Sequence, residues 1–111
     1  MSLSTHVLDT ASGRPAANIA LILRELRDGV WTQLAGGITD ADGRCKTLLG
    51  NFPLDNATYE LTFMTAPYFE AQGVVSLYPY IQIVFTIPDA AQHYHIPLLL
   101  TANGYTTYRG S

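Results

Sequence analysis

Apolar and polar side chains alternate along most of this chain, the period of a half-buried strand. The pattern is plainest in 59–64 (Tyr-Glu-Leu-Thr-Phe-Met) and 80–87 (Tyr-Ile-Gln-Ile-Val-Phe-Thr-Ile). The second run is rich in β-branched residues and suits a central strand. Residues 5–9 read as a short strand with His6 and Leu8 on one face and Val7 on the other. Residues 18–26 fit helix or strand by periodicity alone, but the Asp28-Gly29 turn and the following run 30–34 favour a hairpin. Gly36-Gly37 is expected to break the chain, 40–43 (Asp-Ala-Asp-Gly) to turn it, and 44–49 to form a strand that opens with Arg44. Residues 9–15 read as loop. One short helix is expected over 67–73, with Pro67 at its first position and Gly73 at its end.

The sharpest pattern closes the chain. Across 93–100, His93, His95, Pro97 and Leu99 share one strand face, while Tyr94, Ile96, Leu98 and Leu100 form an apolar one. The Asn103-Gly104 pair behind them predicts a hairpin with both turn residues at positive φ. Proline cannot donate to a ladder, so Pro97 suits an edge or an exposed surface. On the return strand Thr106, Tyr108 and Gly110 share a face. About eight short strands with regularly spaced turns point to an all-β sandwich. One short helix cannot cover a sheet, so the two sheets must cover each other.

Composition narrows the partners. At 111 residues the chain is expected to be one domain, 1–111. Six Lys and Arg against nine Asp and Glu give a net charge of −3, too few and too scattered a set of cations to track phosphates. Neither nucleic acid nor an anionic membrane is therefore an expected partner. A hydrophobic content of 48% beside 14% charged residues suits a chain that buries surface against copies of itself. No stretch reaches the length of a membrane span, and the N-terminal residues carry no secretory pattern, so the expected location is cytoplasmic. The single Cys45 cannot form an internal disulfide.

Candidate chemistry rests on a few side chains. His93 and His95, joined by His6 from elsewhere, could make a three-histidine zinc site, although no Asp or Glu alternates with them. Solvated or core histidines without a role fit the same pattern. Cys45 alternates against Arg44 and reads as a small buried hydrophobe rather than a nucleophile. Ser111 lies in no nucleophile elbow, and the chain has no Gly-rich phosphate loop. Alone, Arg44 reads as a solvated cation, and Tyr105 and Tyr108 as interface or core rings. Taken by themselves these residues define a β-sandwich with a His-lined surface.

Both ends of the chain resemble one family. Residues 3–16 (Leu-Ser-Thr-His-Val-Leu-Asp-Thr-Ala-Ser-Gly-Arg-Pro-Ala) are similar to the opening of the transthyretin-related 5-hydroxyisourate hydrolases. His-Tyr-His-Ile-Pro-Leu-Leu-Leu at 93–100 and Gly-Tyr-Thr-Thr-Tyr-Arg-Gly-Ser at 104–111 are similar to their ending. The middle agrees through 39–44 (Thr-Asp-Ala-Asp-Gly-Arg) and through Tyr68-Phe69 before Tyr78-Pro79. The departures are Thr101-Ala102-Asn103, where Ser-Pro-Tyr is usual, and Tyr80, where an acidic residue is common. The hormone carrier transthyretin shares the fold but lacks the terminal Tyr-Arg-Gly-Ser, the two histidines and the arginine.

The resemblance implies a transthyretin-like sandwich of two four-stranded sheets with one short helix. It also implies a homotetramer whose sites lie between dimers, with no cofactor and no metal. Its catalytic set falls on His6, Arg44 and His95, and its substrate-binding set on Tyr108, Arg109, Gly110 and Ser111; His93 matches a frequent family residue outside the catalytic pair. The implied reaction is metal-independent hydrolysis of a ring amide in 5-hydroxyisourate, a step of urate degradation, giving 2-oxo-4-hydroxy-4-carboxy-5-ureidoimidazoline. The alternative is a transthyretin-like carrier of a small ligand without catalysis. If the first strand and the strand of His95 are neighbours, the imidazoles converge on one surface.

Overall fold

The computed structural model describes residues 2–46, 48 and 53–110. Among the described residues, eight strands and one helix follow in the order β1 (Ser2–Asp9), β2 (Arg14–Pro15), β3 (Ala20–Arg27), β4 (Val30–Ile38), β5 (Thr58–Met64), α1 (Ala66–Glu70), β6 (Ile81–Thr86), β7 (His93–Thr101) and β8 (Gly104–Thr107). They form two four-stranded sheets, β2-β1-β7-β8 and β4-β3-β5-β6. The expected all-β, transthyretin-like sandwich with one short helix is what the chain forms. Inward faces meet in a core that includes Val7, Leu21, Leu23, Tyr59, Leu61, Phe63, Leu98 and Leu100. Each fully buried aliphatic side chain of this kind contributes about 1.5–3 kcal/mol relative to exposure.

The first and seventh strands lie side by side and parallel, with Ser4 opposite His95 and His6 opposite Pro97. That pairing joins the two ends of the chain in the middle of one sheet. Strand alternation then sorts their side chains. Leu3, Thr5, Val7 and Asp9 of β1 and Tyr94, Ile96, Leu98 and Leu100 of β7 are buried. Ser4, His6, Leu8, His95 and Leu99 stand half-buried on the opposite, outer face.

Several local expectations need correction. The run 80–87, read as a central strand, forms β6 at the edge of its sheet, paired with β5 alone. Residues 14–15, read as loop, add a short edge strand to β1. Arg44 makes only an isolated bridge to His6, and Cys45 and Lys46 carry no ladder, so the described part of 44–49 is not a strand. Thr47 and Leu49 of that run lie outside the described residues. Gly36-Gly37 does not break the chain but continues β4 opposite Ile22 and Leu21. The helix begins and ends earlier than 67–73, with Pro67 in its first turn and only Phe69 buried.

The hairpin signals also divide. Asp28 and Gly29 have φ of 51° and 77° and join Arg27 directly to Val30, the positive-φ two-residue turn the dipeptide favours. The last hairpin forms, but its turn residues are Ala102 and Asn103, with Thr101 opposite Gly104. Neither Asn103 nor Gly104 has positive φ. The Asn103 backbone N–H donates to Thr101 Oγ1 instead, a side-chain bond that supports the turn without the left-handed pair.

Pro97 lies in a central strand, not at an edge. The consequence is visible on the β8 side. Pairing with β7 runs from Thr101–Gly104 to Leu98–Thr107, lapses at Pro97, and resumes in the same register as a His95–Gly110 bridge. A residue without an N–H interrupts a ladder where it should donate, and Thr107 Oγ1 donates to the Pro97 carbonyl at the gap.

Candidate active site

The outer face of the β1–β7 pair carries the polar groups. Going across the sheet, the backbone of Arg44 bridges His6 in antiparallel fashion, His6 is opposite Pro97, Ser4 is opposite His95, and His95 bridges Gly110. Residues directly opposite one another in a ladder point to the same face. Arg44 from the middle of the chain, His6 from its start and His95 from near its end therefore share one surface.

Arg44 is delivered there by a tightly built turn. The Asp40 carboxylate accepts the backbone N–H groups of Asp42 (2.9 Å) and Arg44 (3.0 Å), an Asx-type turn. Those bonds, the one from Arg44 foremost, hold the Asp40 carboxyl below its usual pKa. The Gly43 carbonyl accepts from the Val7 N–H at 2.8 Å, which ties the turn to β1. Gly43 has φ of +75°, and a Cβ there would come within 2.3 Å of the Val7 carbonyl oxygen. Only glycine fits both conditions. Cys45, next along, is buried as its alternation against Arg44 suggests.

His95 is held from two sides. Ser4 Oγ lies 2.8 Å from its Nδ1 and 3.1 Å from Nε2 of His93, so one hydroxyl bridges the two imidazoles. On the other side its ring lies over Gly110, where a Cβ would stand 2.5 Å from His95 Cδ2. The Gly110 N–H donates to the His95 carbonyl at 2.7 Å. The pKa of His95 is lowered from its ordinary 6.5, first by burial and then by the charges of Arg44, His6 and His93, while a hydrogen bond with Ser4 opposes them. This imidazole is therefore kept neutral at neutral pH, the form in which a ring nitrogen can accept a proton.

The tail is anchored. Arg109 Nη2 donates to Gln92 Oε1 (2.9 Å) and to the His93 carbonyl (3.2 Å), and the guanidinium lies 4.3 Å from the centroid of the Tyr94 ring. Cation–π packing and two donated bonds fix a segment that in most chains frays. Arg109 thus faces Tyr94 rather than the imidazoles. Tyr108 continues the register opposite Pro97 and is 55% exposed. Ser111 lies outside the described residues. A shallow depression lined by Leu99, Thr101, Thr106 and Tyr105 continues the same face farther along the strands.

Of the residues singled out in the sequence, His6, Arg44, His95 and Gly110 come together, and His93 joins them through Ser4. Ser4 itself was missed. The available signal was its place two residues before His6, on the same strand face. Among the described residues no three His, Cys, Asp or Glu side chains are grouped closely enough to hold a metal ion.

Fold and site together define a transthyretin-like sandwich that bears a two-histidine, one-arginine cluster on an outer sheet face. The chain belongs to the HIUase/Transthyretin family, whose model matches residues 3–110. Among its relatives, the 5-hydroxyisourate hydrolase of Mus musculus is 47% identical over 111 residues, covering 98% of this chain and 94% of that protein. The solved 5-hydroxyisourate hydrolase of Klebsiella pneumoniae superposes with a TM-score of 0.85 at 38% identity, covering 98% of each chain. Sea bream transthyretin, solved in complex with thyroxine, superposes with a TM-score of 0.91 at 34% identity, covering 97% of this chain and 93% of that one. A thyroxine-bound transthyretin and a hydrolase thus share this fold, and only the site can separate them.

Proposed function

We propose that this chain hydrolyses 5-hydroxyisourate, opening a ring amide C–N bond to give 2-oxo-4-hydroxy-4-carboxy-5-ureidoimidazoline. The observation that carries this reading is the convergence of His6, His95 and Arg44 on one face of the β2-β1-β7-β8 sheet. Relatives named for the reaction, at identities of 39% to 47%, support the same substrate.

Water is a poor nucleophile at neutral pH, and a neutral imidazole is suited to remove its proton as it adds to the carbonyl carbon. His95 and His6 supply that base and position the water. Arg44, permanently charged and planar, offers donors to a substrate carbonyl and to the oxyanion that forms on it. The proton passes on to the ring nitrogen as the C–N bond breaks. Tyr108 and Gly110 border the substrate, and Arg109 holds that border in place; for Ser111 a substrate-binding role rests on the family resemblance alone. A carrier of an apolar aromatic ligand has no use for two imidazoles and a guanidinium on its lining.

The reaction surface is the outer face of a sheet, open in a single chain. A second copy packed against it would close the crevice and exclude water, and β6 and β8 are edge strands on which ladders between copies can form. The family resemblance implies a homotetramer with sites between dimers, which this open face would suit; sedimentation tests it directly.

The test uses His6→Asn and His95→Asn with substrate freshly made by urate oxidation and followed by its ultraviolet decay. Each variant is expected to lose about 10²–10⁴ in rate. Rates near wild type in both would remove the assignment.

A further inference from the structure

We infer that Ser4 and His93 form a proton relay linking His95 to solvent, with Ser4 as the positioning residue that sets the His95 tautomer. This rests on the reading of His95 as an acid–base group. Ser4 Oγ stands between His95 Nδ1 at 2.8 Å and His93 Nε2 at 3.1 Å. A hydroxyl has one proton and can donate to only one of two rings at a time. The other ring must then donate to the hydroxyl oxygen. The two tautomers are thereby coupled. When Ser4 donates to His93, His95 carries its proton on Nδ1 and keeps Nε2 as the lone-pair nitrogen, the arrangement a general base needs.

Proton balance follows along the chain of bonds. As water adds to the substrate carbonyl, its proton bonds to His95 Nε2. The Nδ1–H bond breaks and its proton joins Ser4 Oγ, whose own proton moves to His93 Nε2. The imidazolium so formed at His93 releases a proton to water, for this ring is solvent-exposed. The sequence runs backwards when His95 Nε2–H protonates the leaving ring nitrogen. No oxidant or other reagent is needed.

The arrangement answers an electrostatic difficulty. His95 is part-buried and faces the charges of Arg44 and His6, so a lasting imidazolium there is disfavoured. His93, at the exposed start of β7, opens to solvent, where a proton can be handed on to water. Gly110 holds the ring in line from the other side without adding a titratable group.

The test compares Ser4→Ala, Ser4→Thr, His93→Gln and His95→Asn in the full chain by steady-state kinetics on freshly made 5-hydroxyisourate. Ser4→Ala and His93→Gln are each expected to lower kcat by roughly 10–100-fold with KM little changed. Ser4→Thr, which keeps the hydroxyl, should restore most of it. Ser4→Ala combined with His93→Gln should be no slower than either alone, because one path is cut only once. Added imidazole should rescue His93→Gln, a response that a merely structural role would not give. Wild-type kcat in His93→Gln, or full activity in Ser4→Ala, with His95→Asn inactive, overturns the relay and leaves the active site standing. Activity in His95→Asn instead removes the site itself. Should Ser4→Ala fail to fold, His93→Gln decides the matter alone, since its side chain lies at the exposed end of a strand.

Discussion

At the scale of single residues, the proposed chemistry requires His95 to be neutral beside a guanidinium. Its pKa is below the ordinary 6.5, with burial the first cause and Arg44 the second. The sign of the pH effect follows. A depressed pKa keeps the base form as pH falls, so the acidic limb of kcat/KM should lie below pH 6.5. Replacing Arg44 by Gln removes one of the depressing charges and should move that limb upward, together with a loss of rate. A pH–rate profile of both proteins reads the shift, and a limb that stays in place would separate Arg44 from His95. Much of this was legible from alternation alone, since His6 and Leu8, and His95 and Leu99, had to share faces. Ser4 was not, because serine on a strand face carries no chemical signature until a ring nitrogen is placed against it. The role of Arg109 was also hidden. Nothing in a terminal Tyr-Arg-Gly-Ser says that its cation will lie on Tyr94 instead of facing outward.

Among the elements, the 40–44 turn decides where Arg44 goes. Its dipeptides mark a turn, but the close approach of Gly43 to the Val7 carbonyl is tertiary and invisible in a one-dimensional pattern. Gly43→Ala must relieve both a positive φ and a contact of 2.3 Å with backbone. It is expected to cost on the order of 1–3 kcal/mol, measured by denaturant unfolding, and to lower activity by displacing Arg44. Unchanged stability and rate would mean that the turn does not place the guanidinium. The same limit explains the strand errors. Residues 14–15 pair only because β1 has an open edge, while 44–46 meet β1 at a single bridge. Propensity could not rank them. The Asp28-Gly29 turn was readable, whereas Asn103-Gly104 misled by one position, because Thr101 and its side-chain bond stabilise another turn geometry. Pro97 was read as an edge marker, yet its missing N–H is accommodated inside the sheet by a break in the β7–β8 pairing.

For the whole molecule, the essential fact is a parallel pairing of strands whose partner residues, such as Ser4 and His95, are 91 positions apart in sequence. Sequence periodicity gave two apolar faces and two polar ones but not their adjacency; only the family resemblance placed them together. Closing chain ends onto each other puts the imidazoles on a face that the opposite sheet does not cover, which is where a second copy has room to pack. The same backbone serves sea bream transthyretin, which was solved holding thyroxine. What separates a reaction crevice from a ligand channel is therefore the lining and not the scaffold. The decisive measurement is the lifetime of freshly generated 5-hydroxyisourate with and without the wild-type protein at a small fraction of the substrate concentration. Many turnovers per chain and a much shortened lifetime are expected. A lifetime equal to that of spontaneous decay would contradict the assignment and leave a binding protein in its place.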